Sequence, residues 1–227
     1  MIFSYGPLDH SARWYAENPV VAPRSVAPGS TSAEVKEHSI DVAERDVAQR
    51  LSNAEQALFS AALARCASAT VLRPTLVYGA GRDKTLTQIA GLAQRTGAFV
   101  LPANATGLRQ PVHVDDLASA ALAVVGQAAT QQRSDAVGGG EVRAYTQRVE
   151  RVLEALPRPA RLSQVPPSLF GLAPTAAQRL GRLRGLNAAA LERMRDDLVL
   201  DLEPARRDFG YAPLAFRTLP EELGIGE

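Results

Sequence analysis

The sequence holds a single cysteine, Cys66, in 227 residues. A lone thiol excludes an intrachain disulfide and a cysteine-built metal cluster, and a reducing cytoplasm is the default compartment for such a chain. No apolar run reaches about 18 residues, and the first five residues lack the basic start of a signal peptide, so neither a membrane span nor a secretory leader is expected. The formal net charge is only +1, which argues against a dominant nucleic-acid surface. Lysine is nearly absent: Lys36 and Lys84 are the only two, so almost all of the 25 basic residues are arginine. Aromatics are sparse at 5%, yet 46% hydrophobic and 22% charged residues are ordinary for a soluble globular chain. No repeat period or low-complexity tract is evident, which excludes a solenoid.

A further absence bears on chemistry. Dinucleotide-binding folds open with a strand, a glycine-rich turn and a helix whose N-terminus receives a pyrophosphate. The glycines that do cluster, Gly79 with Gly81 and the run 138–140, lack that spacing and read as loops.

What is present has the pattern of an α/β sheet. Residues 69–79, ATVLRPTLVYG, read as a buried parallel strand that empties into a loop. In open α/β sheets ligands meet the chain beyond the carboxyl ends of the strands, so function is expected after Leu72. Residues 110–118, QPVHVDDLA, run from a short strand into an alanine-rich helix. Residues 41–67 form the longest helical stretch, with Val47, Leu51, Ala54, Leu58 and Ala62 in one apolar stripe. Asp9 and Asp83 stand where helix N-caps belong, and Gly97 where a helix ends. Strands are also expected at 2–5, 99–102 and 135–137, and helices at 86–93, 117–129, 145–156, 168–183 and 187–198. Prolines 157, 159, 166 and 167 mark a lobe boundary, giving a core over 1–156 and a C-terminal substrate or cap region over 157–227. His113 on an alternating strand reads as packed, and Asp115 with Asp116 as helix-start carboxylates.

Four segments in order, RPTLVYG (73–79), HVDDLA (113–118), GGGE (138–141) and DFGYAP (208–213), resemble the C-terminal two thirds of an extended short-chain dehydrogenase/reductase. The nearest branch is the NAD-dependent epimerase/dehydratase family. The resemblance implies an NAD(P)-binding Rossmann-like parallel sheet, N-terminally incomplete, with a small helical C-terminal substrate lobe. It sets Met1 near the family's fourth strand, leaving about three βα units, of about 25 residues each, unrepresented.

The implied activity is that of an oxidoreductase exchanging hydride between NAD or NADP and a carbinol or sugar-nucleotide-type substrate in the cytoplasm. Partners would be that small molecule and, in some members, a second copy in a homodimer, with no nucleic acid and no membrane. A serine ending the strand that begins near Ser25 would bond the reacting oxygen, which makes Ser30, Thr31 and Ser32 candidates. The alternative is a turn whose hydroxyls cap local backbone. Pro74, Thr75 and Tyr78 match the family's cofactor contacts, against a plain strand end and a packed ring. Arg109 matches an arginine that grips a substrate diphosphate, against a surface arginine paired to a neighbour. Arg179, Arg182 and Arg184 could hold an anion or line a solvated face.

The family's proton-exchanging Tyr-x-x-x-Lys pair, counted back from Glu55, falls at about Val47 and Leu51, neither of which can transfer a proton. Lys36 is the candidate substitute, from a polar run that also fits a solvated loop and carries His38. The rival readings are a non-catalytic NmrA-like sensor or scaffold that binds a dinucleotide or a protein, and a truncated inactive product.

Overall fold

The computed structural model describes residues 1–18, 22–81, 83–170 and 188–224. The chain runs β1 (Ile2–Phe3), α1 (Leu8–Glu17), β2 (Arg24–Pro28), α2 (Ser32–Val35), α3 (Val42–Leu63), β3 (Ser68–Pro74), β4 (Val77–Tyr78), α4 (Lys84–Thr96), β5 (Ala98–Pro102), β6 (Leu108–Arg109), β7 (Val112–His113), α5 (Val114–Ala123), β8 (Arg133–Val137), β9 (Arg143–Ala144), α6 (Tyr145–Glu154) and β10 (Arg161–Val165). Short helices follow at Pro167–Phe170, Ala188–Arg193 and Glu203–Phe209. Among the described residues no helix is long and apolar enough to cross a membrane. The chain divides into two compact units that interleave in sequence.

The first unit comprises Met1–Leu76, Asp115–Gly140 and Leu200–Leu214. Its four strands form a parallel sheet in the order β1-β2-β3-β8, with Ile2 opposite Ser25, Ala27 opposite Val71 and Leu72 opposite Asp135. The β-strand period of two sends Ala27, Ala69 and Val71 to one face. There they pack with Leu8, Ala12 and Tyr15 of α1 and with Ala54, Leu58 and Ala62 of α3. Leu58 is fully buried, a burial that stabilises the fold by about 2 kcal/mol. Val26 and Leu72 point the other way, towards Leu117 and Ala121 of α5. Asp41 caps α3, its side chain accepting the Ala43 N–H, so the long helix starts within a residue of where its sequence stripe predicts.

The run 69–79 does not continue as one strand. β3 ends at Pro74, which has no N–H to carry the ladder onward, and the Thr75 N–H bonds the Val137 carbonyl at 3.2 Å. The predicted helix 117–129 likewise ends early, at Ala123, and gives way to two 3-10 turns. Arg24 gathers that turn region, donating to Thr70, to Thr130 and to the Val124 carbonyl.

The second unit comprises Val77–Val114, Glu141–Val199 and Ala215–Glu227. It holds three strand pairs: β5 with β10 and β4 with β7, both parallel, and β6 with β9, antiparallel. Helix α4 begins at an Asp83 cap that accepts the N–H groups of Thr85, Leu86 and Thr87 and ends at Gly97 with φ 72°, the left-handed geometry that glycine adopts without strain. Leu86, Ile89, Ala90 and Ala93 of α4 are buried, as are Val149, Val152 and Leu153 of α6. Strand β10 is absent from the sequence expectations. The expected helix 168–183, with Leu172, Leu180, Leu183 and the arginines 179, 182 and 184, lies largely outside the described residues.

Candidate functional site

In the first unit the carboxyl ends of β1 and β2 open into a cleft of about 260 Å³ lined by Gly6, Pro7, Leu8, Asp9, Pro28, Gly29, Val47, Arg50 and Leu51. Its position follows from the parallel sheet, whose strand ends leave a crevice. Gly29 makes the close approach there: its N–H bonds the Leu72 carbonyl at 2.7 Å, and a Cβ would stand 2.6 Å from Val71 Cγ1. Val47 and Leu51, the positions at which the resemblance sets the proton-exchanging pair, face the cleft from α3 with two hydrocarbon side chains. Asp9 and Arg50 are the titratable groups of the lining. Arg50 bonds Asp46 one turn earlier on the helix, Nε to Oδ2 at 3.0 Å, and the Asp9 carboxylate accepts the His10 N–H at 3.0 Å.

The hydroxyls expected to polarise a substrate oxygen lie just past Gly29. Ser30 Oγ accepts the Ser32 N–H at 3.1 Å. Thr31 is buried and its Oγ1 donates to the Pro74 carbonyl at 3.2 Å. Ser32 opens α2. Lys36 pairs with Glu44 at 3.4 Å. Thus Thr31 meets Pro74 at the end of β3, whereas Lys36 turns to the start of α3. None of the four lines the cleft.

Beneath Gly29 lies a buried ion pair. Arg73 of β3 grips Glu55 of α3 with two bonds, Nε to Oε1 at 2.9 Å and Nη2 to Oε2 at 2.6 Å. Ser134 donates to the same carboxylate at 2.6 Å, and Glu34 takes the remaining arm of Arg73. The Glu55 hydrogen bonds hold the Arg73 pKa above its ordinary value. Glu55, the sequence anchor for placing the expected pair, is therefore a structural carboxylate.

In the second unit Tyr78 is buried, with its ring edge-on to His113 and Phe216 and its hydroxyl accepting the Arg217 N–H at 3.1 Å. His113 faces Glu222 at 3.5 Å. Arg109 is 9% exposed. Its Nη1 donates to the carbonyls of Leu108 (2.7 Å) and Asp196, and its Nη2 to the Arg193 carbonyl. The guanidinium also lies 5.7 Å from the centre of the Tyr145 ring, and Arg148 lies 4.5 Å from that same ring. Burial, then the neighbouring Arg148 charge, pulls the Arg109 pKa below its ordinary value. Arg148 and Tyr145 fall in the expected helix 145–156 but are not among the site residues expected from the sequence. The signal existed: Tyr145, Arg148, Val149 and Val152 share one face of α6 at steps of three and four, a face whose other members are buried.

A nicotinamide dinucleotide fits this chain only in part. The cleft has the volume and the apolar lining for a small planar ring, but neither glycine cluster is a phosphate cradle. Gly81 sits against Gly224, and Gly79 leaves no space before His113. A Cβ on Gly140 would be 2.2 Å from the Pro213 carbonyl, and the Gly138 carbonyl accepts the Tyr211 hydroxyl at 2.8 Å. These backbones are already packed, so neither glycine cluster offers its N–H groups to a pyrophosphate.

Residues 52–138 match the model of the NAD dependent epimerase/dehydratase family. No curated protein matches the chain significantly. Among solved structures, UDP-glucose 4-epimerase from Thermotoga maritima, determined with UDP-glucose, superposes with a TM-score of 0.61 at 17% identity, over 96% of this chain and 64% of that one. UDP-glucuronic acid 4-epimerase from Bacillus cereus, in complex with NAD, gives 0.64 at 11% identity over 95% and 63%. RMD from Pseudomonas aeruginosa, complexed with NADPH, gives 0.58 at 13% identity over 88% and 63%. The chain thus spans under two thirds of the length of each of these proteins. Segment 52–138 thus matches the model of the NAD dependent epimerase/dehydratase family, and the described residues share the Rossmann-like α/β fold of these solved structures.

Proposed function

We propose that this chain binds a phosphate-bearing small molecule of the sugar-nucleotide type without running the proton exchange of a Tyr-x-x-x-Lys pair. The observation that supports this is the cleft at the ends of β1 and β2, whose helix wall is formed by Val47 and Leu51, the two positions that the resemblance assigns to the pair. Proton transfer in a transition state requires a titratable group within hydrogen-bond reach, and two hydrocarbon side chains offer none. The Ser30 and Thr31 hydroxyls and the Lys36 ammonium already have partners. Arg109 is the proposed contact for the diphosphate: a planar fork of donors suits that group, and this fork is fixed by main-chain carbonyls. Pro74 and Thr75 of the first unit are proposed to border a nicotinamide ring should one bind, the ring supplying hydride chemistry that these residues only position.

A second reading draws on Asp9. It is the carboxylate of the cleft lining, and an oxidoreductase using it as base would need no tyrosine. Calorimetric titration with UDP-glucose, of the chain and of its Arg109→Met and Asp9→Asn variants, separates the two. The first reading expects binding that is lost in Arg109→Met and untouched in Asp9→Asn. Conversion of the sugar that disappears in Asp9→Asn would establish the second.

A further inference from the structure

We infer that Arg148 is the second, buried charge of an anion seat in the second unit, a positioning residue that strengthens the grip of Arg109 on a phosphate group. This rests on the reading of Arg109 as an anion contact and adds a residue that the reading does not contain.

Arg148 is 2% exposed, and its Nε has no hydrogen-bond partner. Burial is the largest influence on it and pulls its pKa below the ordinary guanidinium value, with Tyr145 and Asp83 opposing. A guanidinium does not deprotonate in proteins, so that direction expresses the cost of keeping a charge out of water. Such charges are normally paired. Among the described residues no carboxylate makes an ion pair with Arg148 or Arg109; Asp83, Asp196 and Asp197 act on them only through space.

The neighbour at Arg148 is instead another cation. Both guanidiniums pack against the Tyr145 ring, and the Arg148 charge depresses Arg109. The ring face offsets part of this repulsion. The acceptors that hold Arg109 are neutral carbonyls, which orient the fork and leave its charge uncompensated. Three of its five N–H donors are used, leaving Nε–H and one Nη2 proton for an incoming acceptor. A site with two desolvated positive charges, one aimed and one silent, is complementary to a dianion. A phosphate or diphosphate group meets that need, and a neutral sugar or a lone carboxylate meets it less well.

The test follows thermal unfolding and apparent affinity with inorganic pyrophosphate, UDP and, at matched ionic strength, sodium chloride. Ligand that binds only the folded chain raises its unfolding temperature. Pyrophosphate and UDP are expected to stabilise the wild-type chain beyond chloride. Arg148→Met should weaken the apparent affinity about tenfold, the effect of one charge acting through a partly desolvated medium, while Arg148→Lys keeps most of it. Stabilisation by pyrophosphate but not by UDP leaves the seat standing and removes the nucleotide reading. Loss of binding in Arg109→Met with wild-type affinity in Arg148→Met overturns the inference and spares the reading of Arg109. Equal stabilisation by chloride and pyrophosphate overturns both. Side-chain NMR of the wild-type chain labelled in arginine decides the case should the Arg148 variants fail to fold: pyrophosphate should shift the Nε–H signals of Arg109 and Arg148 together, and a shift confined to Arg109, or absent from both, contradicts the inference.

Discussion

Arg73 in the first unit is partly buried and Arg148 in the second almost wholly so, and the chain treats them in opposite ways. Arg73 sits in a fork-to-fork bond with Glu55, whose carboxylate also accepts from Ser134, and its pKa is held up by Glu55 and then Glu34. Arg148 is held against a tyrosine ring beside a second arginine, and its pKa is pulled down by burial. Where charge serves architecture it is neutralised inside the fold. Where it is left over, the fold bears a cost that an external anion can relieve. The cleft of the first unit completes the contrast, with Val47 and Leu51 on its helix wall: one region has the crevice without the proton chemistry, and the other has charge without a counter-charge.

The contrast can be broken most forcefully at Glu55. Glu55→Gln leaves Arg73 with Glu34 as its one carboxylate, and because Glu55 is buried and Arg73 partly so, urea denaturation should show a loss of about 2–3 kcal/mol. A loss under about 0.5 kcal/mol would mean that the pair is not architectural. Gly140→Ala comes next. The Cβ has to displace the Pro213 and Leu214 backbone, so a cost of about 2 kcal/mol is expected, with UDP affinity unchanged if that glycine run is structure alone.

Arg148→Met sharpens the comparison through its sign. Replacing an uncompensated buried charge by an apolar side chain of similar length should leave stability without ligand unchanged or raise it by about 1 kcal/mol. A large loss would place Arg148 with Arg73 as a satisfied structural cation.

The smallest effect concerns Glu141 in the second unit. Its bond to Arg143, with Arg151 assisting against partial burial, holds its pKa below the ordinary carboxylate value. A carboxylate depressed on folding contributes stability that is present above its unfolded pKa and lost as the pH falls through its folded one. Because the group is largely solvated, the contribution is a few tenths of a kcal/mol. Glu141→Gln should therefore match wild type in acid and fall slightly below it near neutral pH, as followed by thermal unfolding across that range.

Much of the first unit was legible because it obeys simple periods. The stripe from Ala54 to Ala62 faces the sheet and the long helix starts at Asp41; in the second unit Asp83 caps its helix and Gly97 ends it, whereas Asp9, expected as a cap, lies in the first turn of α1 behind Pro7. The break of 69–79 at Pro74 was harder to see, since Val77 and Tyr78 continue the apolar pattern while pairing with a different strand. Strand β10 was hidden by the flanking prolines. The charge cluster escaped for another reason. Arginine is so frequent in this chain that Arg148 carries no compositional signal, and only its place on the buried face of α6, three residues after Tyr145, distinguishes it from a solvated residue. The spacing to Glu55 and the resemblance singled out Val47 and Leu51 as positions of a catalytic pair but did not show that they line a cleft, and Asp9 and Arg50 join that lining only through the fold.

The most direct test of the account is NMR of UDP-glucose incubated with the chain and NAD, on a preparation whose UDP affinity is measured by calorimetry in parallel. The account predicts binding with the sugar unchanged and no nicotinamide reduced. Conversion of the sugar at about one turnover per second or faster, in the range of ordinary enzymes, would contradict it and assign the proton exchange to a group other than a tyrosine-lysine pair.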